Sequence, residues 1–316
     1  MKNKLFIPIL FVFMFAITAC GNNATSNSPA ASPQSSNAPA AAKEASGMMT
    51  YASETGPVQV PSSPKRIVAL TNAPNVLSLG GTLVGVDEWT NKNPLFKKKL
   101  NGIPVVSDNE LEKIIEQKPD LIIAGSESKN IEKLKQIAPT VVYTWGKLDY
   151  LAQQLEIGKL LNKEKETQKW IDDFKKRAAD IGKEIKAKIG EQATVSVIEI
   201  DSKDFYVFGN NWARGTEVLY QAMGLNMPEK VKKDALGPGY YALSQEVISN
   251  YAGDYLVLSR SSAANNSFMK TETWNNIPAV KNKHVIEIDT EASTYSDPTT
   301  LEYLLNIFKE GFLGKK

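Results

Sequence analysis

The chain has 316 residues, of which 42% are hydrophobic and 23% charged, and its formal net charge is +2 at pH 7. A charge so close to neutral argues against a nucleic-acid-binding surface, which is normally strongly basic. The chain contains one cysteine and one histidine, and no nucleophile elbow accompanies them. Disulfide, thiol and Ser-His-Asp chemistry are therefore not supported, and we predict that the protein is not an enzyme.

The N-terminus has the pattern of a secretion signal. A charged start precedes an apolar run from Leu5 to Ile17, which is too short to span a bilayer. The residues leading to Cys20 resemble a bacterial lipobox, in which the thiol is acylated, for example with palmitate. The resemblance implies a signal peptide over residues 1–19 and a lipid anchor on the extracellular face of the cell membrane. An ordinary signal with an incidental cysteine is the alternative.

A flexible tether is predicted after the lipidated Cys20. Residues 20–47 consist mainly of Ala, Ser, Asn, Pro and Gly, which cannot bury a core. Removal of the signal would also remove Lys2 and Lys4 and bring the formal net charge from +2 to zero. We therefore expect a neutral folded region, a monomer, held to the membrane by the tether.

The rest of the chain has the pattern of an α/β protein with two lobes. Short β-branched runs alternate with helical stretches, as in folds with largely parallel strands. We expect a Rossmann-like N-terminal lobe over residues 60–162 and a similar C-terminal lobe over residues 191–316. The strand candidates are residues 66–70, 121–124, 140–143, 194–200, 255–259 and 284–288.

One long rigid helix is predicted between the lobes. Residues 163–190 contain no proline, and their apolar side chains recur every three or four residues from Trp170 to Ile189. At about 1.5 Å per residue such a helix would be roughly 40 Å long, enough to join two lobes. A core helix of a single domain is the alternative.

Two segments repeat one pattern. Glu112 lies eight residues before Asp120, which opens a buried strand, and Glu246 lies at the same distance before Asp254. This internal duplication flanks the long helix. It predicts two similar lobes that face each other across a ligand cleft, which is where α/β folds place their ligands.

With these features the chain resembles the helical-backbone class of ABC-importer binding proteins over residues 60–316. Within that class, residues 206–220 (YVFGNNWARGTEVLY) resemble a segment of the iron(III)-hydroxamate-binding lipoproteins of Gram-positive bacteria. There a tyrosine, a tryptophan and an arginine at these spacings face the ligand. The resemblance implies that Tyr206, Trp212 and Arg214 do so here. The family's glycine before the arginine is Ala213 in this chain, a change expected to leave both neighbouring side chains in place.

A hydroxamate siderophore suits this group of residues. It fills the six oxygen positions around iron(III), so the protein needs no metal ligand and no cofactor of its own, and the iron enters with the cargo. Aromatic faces can cover the carbon chains, and a guanidinium group can donate two hydrogen bonds to hydroxamate oxygens. The alternative is a surface loop whose Trp212 packs on the lobe and whose Arg214 pairs with a carboxylate.

Three further aromatic residues are candidate ligand contacts. Tyr295 precedes an Asp-Pro pair, where the hydroxamate family carries an aromatic-rich stretch of which this chain keeps only the tyrosine. Trp89 and Trp145 follow strand-like segments of the N-terminal lobe. These two side chains either line the cleft or pack in the core.

Glu112 and Glu246 stand where this importer class places one acidic residue on each lobe. The resemblance implies that they dock on basic pockets of a membrane permease. Exposed carboxylates at matching positions would fix the orientation of docking. Ordinary solvated helix surface is the alternative.

Other cargoes remain open. A metal-ion binder needs histidine and carboxylate ligands, but His284 lies in a polar turn and is expected to be solvated, so no metal site is predicted. The sequence offers no evident axial ligand for haem. A tris-catecholate would require several clustered Lys or Arg residues, whereas the motif supplies one Arg. A catecholate or mixed siderophore, cobalamin or haem is the alternative cargo, and an enzyme or a scaffold lipoprotein is less favoured.

Overall fold

The computed structural model describes residues 47–201, 204–261 and 267–314. Within these ranges, none of the helices is both long and apolar enough to cross a membrane. The predictions of a signal peptide, of acylation at Cys20 and of a tether fall almost entirely outside the described residues.

A β-hairpin precedes the N-terminal lobe. It consists of β1 (Met48–Ser53) and β2 (Gly56–Pro61), which pair in antiparallel fashion. Tyr51 and Val60 are buried and pack into the core of that lobe. The folded region therefore begins at the hairpin rather than at residue 60, because alternate side chains of both strands bury one face of it.

The N-terminal lobe contains a parallel sheet with helices around it. Its strands are β3 (Ile67–Ala69), β4 (Leu83–Val86), β5 (Leu121–Gly125) and β6 (Thr140–Tyr143), and its helices are α1 (Ala73–Ser78), α2 (Glu88–Lys92), α3 (Leu111–Glu116), α4 (Ile131–Ile137) and α5 (Tyr150–Leu160). The strand order is β4-β3-β5-β6. All side chains of β5 and β6 are buried, because hydrophobic clusters cover both faces of the sheet.

The long helix predicted at residues 163–190 is present as α6 (Glu164–Ile189), which has 26 residues. Its buried side, which includes Phe174 and Gly182, recurs at helical spacing. At Gly182 the carbonyl oxygen of Met223 lies so close to the helix that a side chain would collide with it. The amphipathic pattern therefore predicted the helix and part of its buried face, since Phe174, Ala178 and Ile185 are buried.

The C-terminal lobe contains a mixed sheet in the order β11-β10-β7-β8-β9. The strands are β7 (Val195–Asp201), β8 (Asp204–Phe208), β9 (Tyr240–Leu243), β10 (Tyr255–Arg260) and β11 (Val285–Asp289), and the helices are α7 (Glu229–Ala235), α8 (Glu272–Asn275), α9 (Pro278–Lys281), α10 (Pro298–Leu313), a π-helix (Glu217–Ala222) and two 3-10 helices (Gln245–Asn250 and Ser267–Lys270). β7, β10 and β11 are parallel and match predicted strands. β8 and β9 are antiparallel and were not predicted.

The sequence repeat has a structural counterpart. Asp120 accepts hydrogen bonds from the backbone N–H groups of Lys65 (2.7 Å) and Arg66 (2.9 Å), just before β3. Asp254 accepts from the backbone N–H and the hydroxyl of Thr194, both at 2.8 Å, just before β7. Each aspartate ties its own strand to the first strand of its lobe. The lobes differ where β8 and β9 take the place of β4.

Direct contacts join the lobes. α6 packs on α5 at one end and on α10 and the π-helix at the other, and α1 packs on α10. The side-chain amide of Asn93 donates to the backbone carbonyl of Glu291 at 2.8 Å. The Tyr295 hydroxyl lies 3.1 Å from Oγ1 of Thr90 and 3.4 Å from a carboxylate oxygen of Asp87. The lobes are thus joined both by the linking helix and by direct contacts near α2.

Candidate ligand-binding site

The antiparallel strands of the C-terminal lobe place aromatic side chains next to each other. Tyr206 on β8 lies opposite Glu199 on β7, and Phe208 lies opposite Tyr240 on β9. Opposed residues, and residues two apart on one strand, share a face. The rings of Tyr206 and Tyr240 meet edge to face with centroids 5.9 Å apart. One face of the sheet edge therefore carries all four side chains.

A left-handed turn follows β8. Residues 213–215 all have positive φ, at 57°, 54° and 78°. Positive φ costs a residue with a side chain about 1–2 kcal/mol, so the surroundings must hold the turn. The backbone N–H of Trp212 donates to Oγ1 of Thr216 (3.1 Å), and that of Ala213 donates to the carboxylate of Glu217 (3.0 Å). These bonds close the turn and aim its side chains.

Glu217 is buried beneath the turn, at the start of the π-helix. Its carboxylate also accepts the hydroxyl of Thr216 at 3.1 Å. Burial raises the pKa of this carboxyl group above its ordinary value, and the hydrogen bonds from Ala213 and Thr216 act against the rise. A buried carboxyl group therefore supports the strained backbone that carries the motif.

The guanidinium group of Arg214 binds a buried carboxylate. Nε donates to Oε2 of Glu199 at 2.7 Å, and Nη2 donates to Oε1 at 3.3 Å. The side chains of Arg214 and Glu199 are 19% and 9% exposed. The guanidinium carbon lies 5.6 Å from the ring centroid of Phe208. Arg214 therefore pairs with a carboxylate, as the alternative of a surface loop predicted. Its Nη1 donates to no described residue.

Trp212 packs on its own lobe and also meets the other one. Its indole covers Gly239, where a Cβ would collide with the ring, and lies 5.0 Å from the ring of Tyr240. From the N-terminal lobe, Trp145 approaches Trp212 edge to face with centroids 4.8 Å apart. Together with Tyr206, these side chains (Trp145, Tyr206, Trp212 and Tyr240) form an aromatic cluster that spans both lobes.

Neither tryptophan of the N-terminal lobe lies in its core. Trp89 on α2 is 72% exposed and Trp145 after β6 is 70% exposed. The ammonium group of Lys92 lies 5.8 Å from the Trp89 ring centroid. Because β4 and β6 are the edge strands of their sheet, the tryptophans follow opposite edges of it. Trp145 joins the aromatic cluster, whereas Trp89 makes no ring contact with it among the described residues.

Tyr295 lies in the contact between the lobes. Its ring packs against the core of the N-terminal lobe, and its hydroxyl is bound to Thr90 and Asp87. Burial raises the pKa of this hydroxyl, and the nearby carboxylate of Asp87 adds to the rise. The structure therefore gives Tyr295 a position that bridges the lobes and does not bring it into ring contact with the aromatic cluster.

The two predicted docking residues are exposed. Glu112 lies in the first turn of α3, and Glu246 lies in the first turn of the 3-10 helix Gln245–Asn250. Neither carboxylate forms an ion pair with a residue that the structure describes. Hydrogen bonds from its own backbone N–H and from Ser244 lower the pKa of Glu246. Both carboxylates are therefore at the surface in matching positions of the repeat.

In the described part of the chain, no group of three or more His, Cys, Asp or Glu side chains could hold a metal ion. His284 stacks on Tyr255 with ring centroids 4.2 Å apart, and its Nδ1 lies 3.1 Å from the carbonyl oxygen of Asp254. This histidine is therefore held by packing and by a backbone contact at the base of the C-terminal lobe.

A cavity of about 270 Å³ lies beside α6, where both lobes meet it. Its walls include Gln154, Trp170 and Glu302. Nε1 of Trp170 donates to the carboxylate of Glu302 at 3.1 Å. The same carboxylate accepts a hydrogen bond from Arg177. None of the described residues that line this cavity belongs to the aromatic cluster. Next to the cluster, the contact between Trp145 and Trp212 narrows the cleft.

Two lobes on one long helix, with side chains from both lobes meeting between them, define the architecture of a solute-binding protein. The chain belongs to the periplasmic binding protein family, whose sequence pattern matches residues 67–292.

Individual relatives are similar over most of their length. The iron(3+)-hydroxamate-binding protein FhuD of Bacillus subtilis (strain 168) is 34% identical over 303 residues, which is 93% of each chain. The solved FhuD protein from S. pseudintermedius superimposes with a TM-score of 0.77 at 34% identity, over 85% of this chain and 99% of that one. FhuD2 from Staphylococcus aureus with bound ferrioxamine B gives a TM-score of 0.75 at 37% identity, over 79% and 98%.

The sequence reasoning missed Glu199, Gly239 and Tyr240. Glu199 interrupts the apolar run of β7, and a charge within a buried strand signals that a partner is required. Gly239 ends a Gly-Pro-Gly turn, which predicts a bend but not the ring that rests on it. Tyr240 carries no local signal of its role, because its neighbours come from β8 and from the turn after it.

Proposed function

We propose that the protein captures an iron(III) siderophore of the hydroxamate type outside the cell and delivers it to the permease of an ABC importer. The observation that carries the proposal is the aromatic cluster with Arg214 beside it. Aromatic faces match the carbon shell of a siderophore, and a guanidinium group matches its oxygens. A relative named as an iron(3+)-hydroxamate-binding protein and a similar structure with ferrioxamine B support the same cargo.

In this proposal Tyr206, Trp212, Arg214 and Trp145 contact the siderophore. Trp89 stands at the other edge of the N-terminal sheet and would contact a larger cargo. Tyr295 would affect ligand binding indirectly, because its hydrogen bonds to Thr90 and Asp87 help to set the position of one lobe relative to the other. Chemistry on the cargo is not required, because binding and release are sufficient for transport.

The proposal is tested by titrating the purified protein with ferrioxamine B while tryptophan emission is followed. We expect saturable quenching, because two tryptophans belong to the aromatic cluster. Arg214→Ala removes charge-assisted hydrogen bonds of about 1.5–3 kcal/mol and should weaken binding by about ten- to a hundredfold. Arg66→Ala is the matched control, because Arg66 lies at the amino end of β3 and binds the carbonyl of Gln117. Absence of saturable quenching in the unaltered protein would contradict the proposal.

We further propose that acylated Cys20 anchors the protein in the bilayer and that a flexible tether presents the lobes. An anchor with two acyl chains is stable, because each buried methylene contributes about 0.8 kcal/mol. Detergent, but not high salt, should then release the protein from membranes. Release by salt alone would contradict the anchor. Glu112 and Glu246 are proposed as the permease contacts.

A further inference from the structure

A buried carboxylate stands behind the arginine of the motif. Glu199 lies near the carboxyl end of β7, and its side chain is 9% exposed. Its Oε2 accepts from Nε of Arg214 (2.7 Å) and from the hydroxyl of Ser259 (2.9 Å), and its Oε1 accepts from Nη2 of Arg214 (3.3 Å). Ser259 in turn lies 2.8 Å from Oγ1 of Thr290. Groups from the carboxyl ends of β7, β10 and β11 therefore hold this carboxylate.

The pairing fixes the orientation of the guanidinium group. Nε and one N–H of Nη2 donate to Glu199, so Nη1 and the second N–H of Nη2 remain to donate to a ligand. A two-point contact with a carboxylate restrains the orientation of the guanidinium plane. In an unpaired arginine side chain this orientation would vary widely. The hydrogen bond between Ser259 and Glu199 restrains the carboxylate as well.

The pairing also offsets the positive charge of the guanidinium group. Arg214 contributes one positive charge and Glu199 one negative charge, and the side chains of the aromatic cluster are uncharged. In a partly desolvated site, an unpaired positive charge would attract anions strongly, whereas a neutral pair presents only local donors. Iron(III) bound by three hydroxamates forms a neutral core. Iron(III) complexes with citrate carry net negative charge.

We infer that Glu199 is a positioning residue that orients Arg214, cancels its charge and thereby selects iron(III) complexes without net negative charge. This inference rests on the proposed function, since it assigns the charge of the cargo in the same site. Arg214 contacts the ligand, and Glu199 acts through Arg214.

The test compares ferrichrome, a neutral trihydroxamate complex, with ferric citrate, an anionic complex, in equilibrium titrations. Glu199→Gln keeps the size of the side chain and removes the negative charge. We expect affinity for ferrichrome to fall by about tenfold and affinity for ferric citrate to rise, because the guanidinium group becomes less restrained and its positive charge is no longer offset. Equal changes with both complexes in the same direction would overturn the inference and leave Glu199 a purely structural role.

A second variant keeps the experiment decisive if the first one folds poorly. Glu199→Asp keeps the charge but shortens the reach, so ferrichrome affinity should fall without any gain for ferric citrate. A gain for ferric citrate in this variant would overturn the assignment of the charge. Circular dichroism checks the fold of each variant.

The matched control is Glu287→Gln. Glu287 also accepts from Nε and Nη2 of an arginine, Arg260, but it lies on β11 as part of an exposed pair. This control removes the same charge from the same lobe and should change neither affinity. If the unaltered protein failed to bind ferrichrome, the proposed function would fail, whereas the sign of the change with ferric citrate would still decide the role of Glu199.

Discussion

At the scale of single residues, the position of Trp212 depends on a glycine. The φ of Gly239 is 92°, and the indole occupies the space that a side chain would need. Gly239 therefore serves both the turn before β9 and the surface on which the ring lies. Tyr240 then meets the same ring from the side. The geometry of one tryptophan thus rests on backbone far from it in the sequence.

This leads to a prediction for Gly239→Ala. The added methyl group should displace the Trp212 ring and strain a left-handed backbone, so affinity for ferrioxamine B should fall by about tenfold and stability by about 1–2 kcal/mol. Gly237→Ala is the control, because no described atom lies within 4 Å of a Cβ there and its φ is not positive. Titration and urea unfolding give the two quantities. Unchanged affinity in Gly239→Ala would show that the ring does not depend on this contact.

The sequence predicts local features of the site better than its tertiary contacts. The motif identified Tyr206, Trp212 and Arg214, and the structure places these side chains on one part of the C-terminal lobe. The partner of Arg214 could not be predicted, because Glu199 lies on another strand and its burial depends on the fold. The two exposed tryptophans could not be assigned either, since hydrophobicity alone does not distinguish a core ring from a cleft ring.

At the scale of elements, a helix or strand is easier to predict from the sequence when its apolar pattern is long and continuous. The strand at residues 140–143 and the helix α6 were predicted because their patterns are continuous. β9 is short, and three of its four side chains are exposed, so it lacks the apolar run that marks a strand. β8 and β9 are separated by 31 residues that include the motif turn. Their pairing therefore depends on non-local contacts.

The π-helix gives a prediction about pH. Burial raises the pKa of Glu217 in the folded protein, so its contribution to stability is full below the unfolded pKa and is lost as pH rises towards the folded pKa. Glu217→Gln keeps a neutral side chain. The stability of this variant relative to the unaltered protein should therefore increase between about pH 4 and pH 7.

Urea unfolding of both proteins at the two pH values measures this difference. Glu229→Gln is the control, since the Glu229 side chain is 88% exposed on α7 and its removal should give no such trend. A relative stability of Glu217→Gln that stays constant or falls with pH would contradict the role of burial.

At the scale of the whole molecule, the duplication places one exposed carboxylate on each lobe. Glu112 and Glu246 occupy matching first turns, although one helix is α and the other 3-10. The repeat predicted this correspondence, together with two lobes and one linking helix. It did not predict the N-terminal hairpin or the antiparallel edge of the C-terminal lobe, because neither element has a counterpart in the other half of the sequence.

The docking proposal predicts separate effects on binding and on uptake. Reversal of Glu112 or Glu246 to Lys should leave siderophore affinity unchanged, because both side chains are exposed and lie outside the aromatic cluster. Iron uptake by cells should fall, because the introduced lysine would be repelled by the basic pockets of the permease. Glu116→Lys is the control on the same helix α3. An equal loss of affinity and uptake would place the altered glutamate in the ligand site instead.

The linking helix also determines how such a protein can give up its cargo. A rod of 26 residues measures about 39 Å, and tilting it by about 5° moves its far end by only about 3 Å. With Met223 against Gly182, the rod has little freedom even for that. We therefore expect no large closing motion to trap the cargo, so its residence time depends on side-chain contacts alone. Fast release of the cargo then requires an external force on the lobes, which a membrane protein bound to both of them can supply.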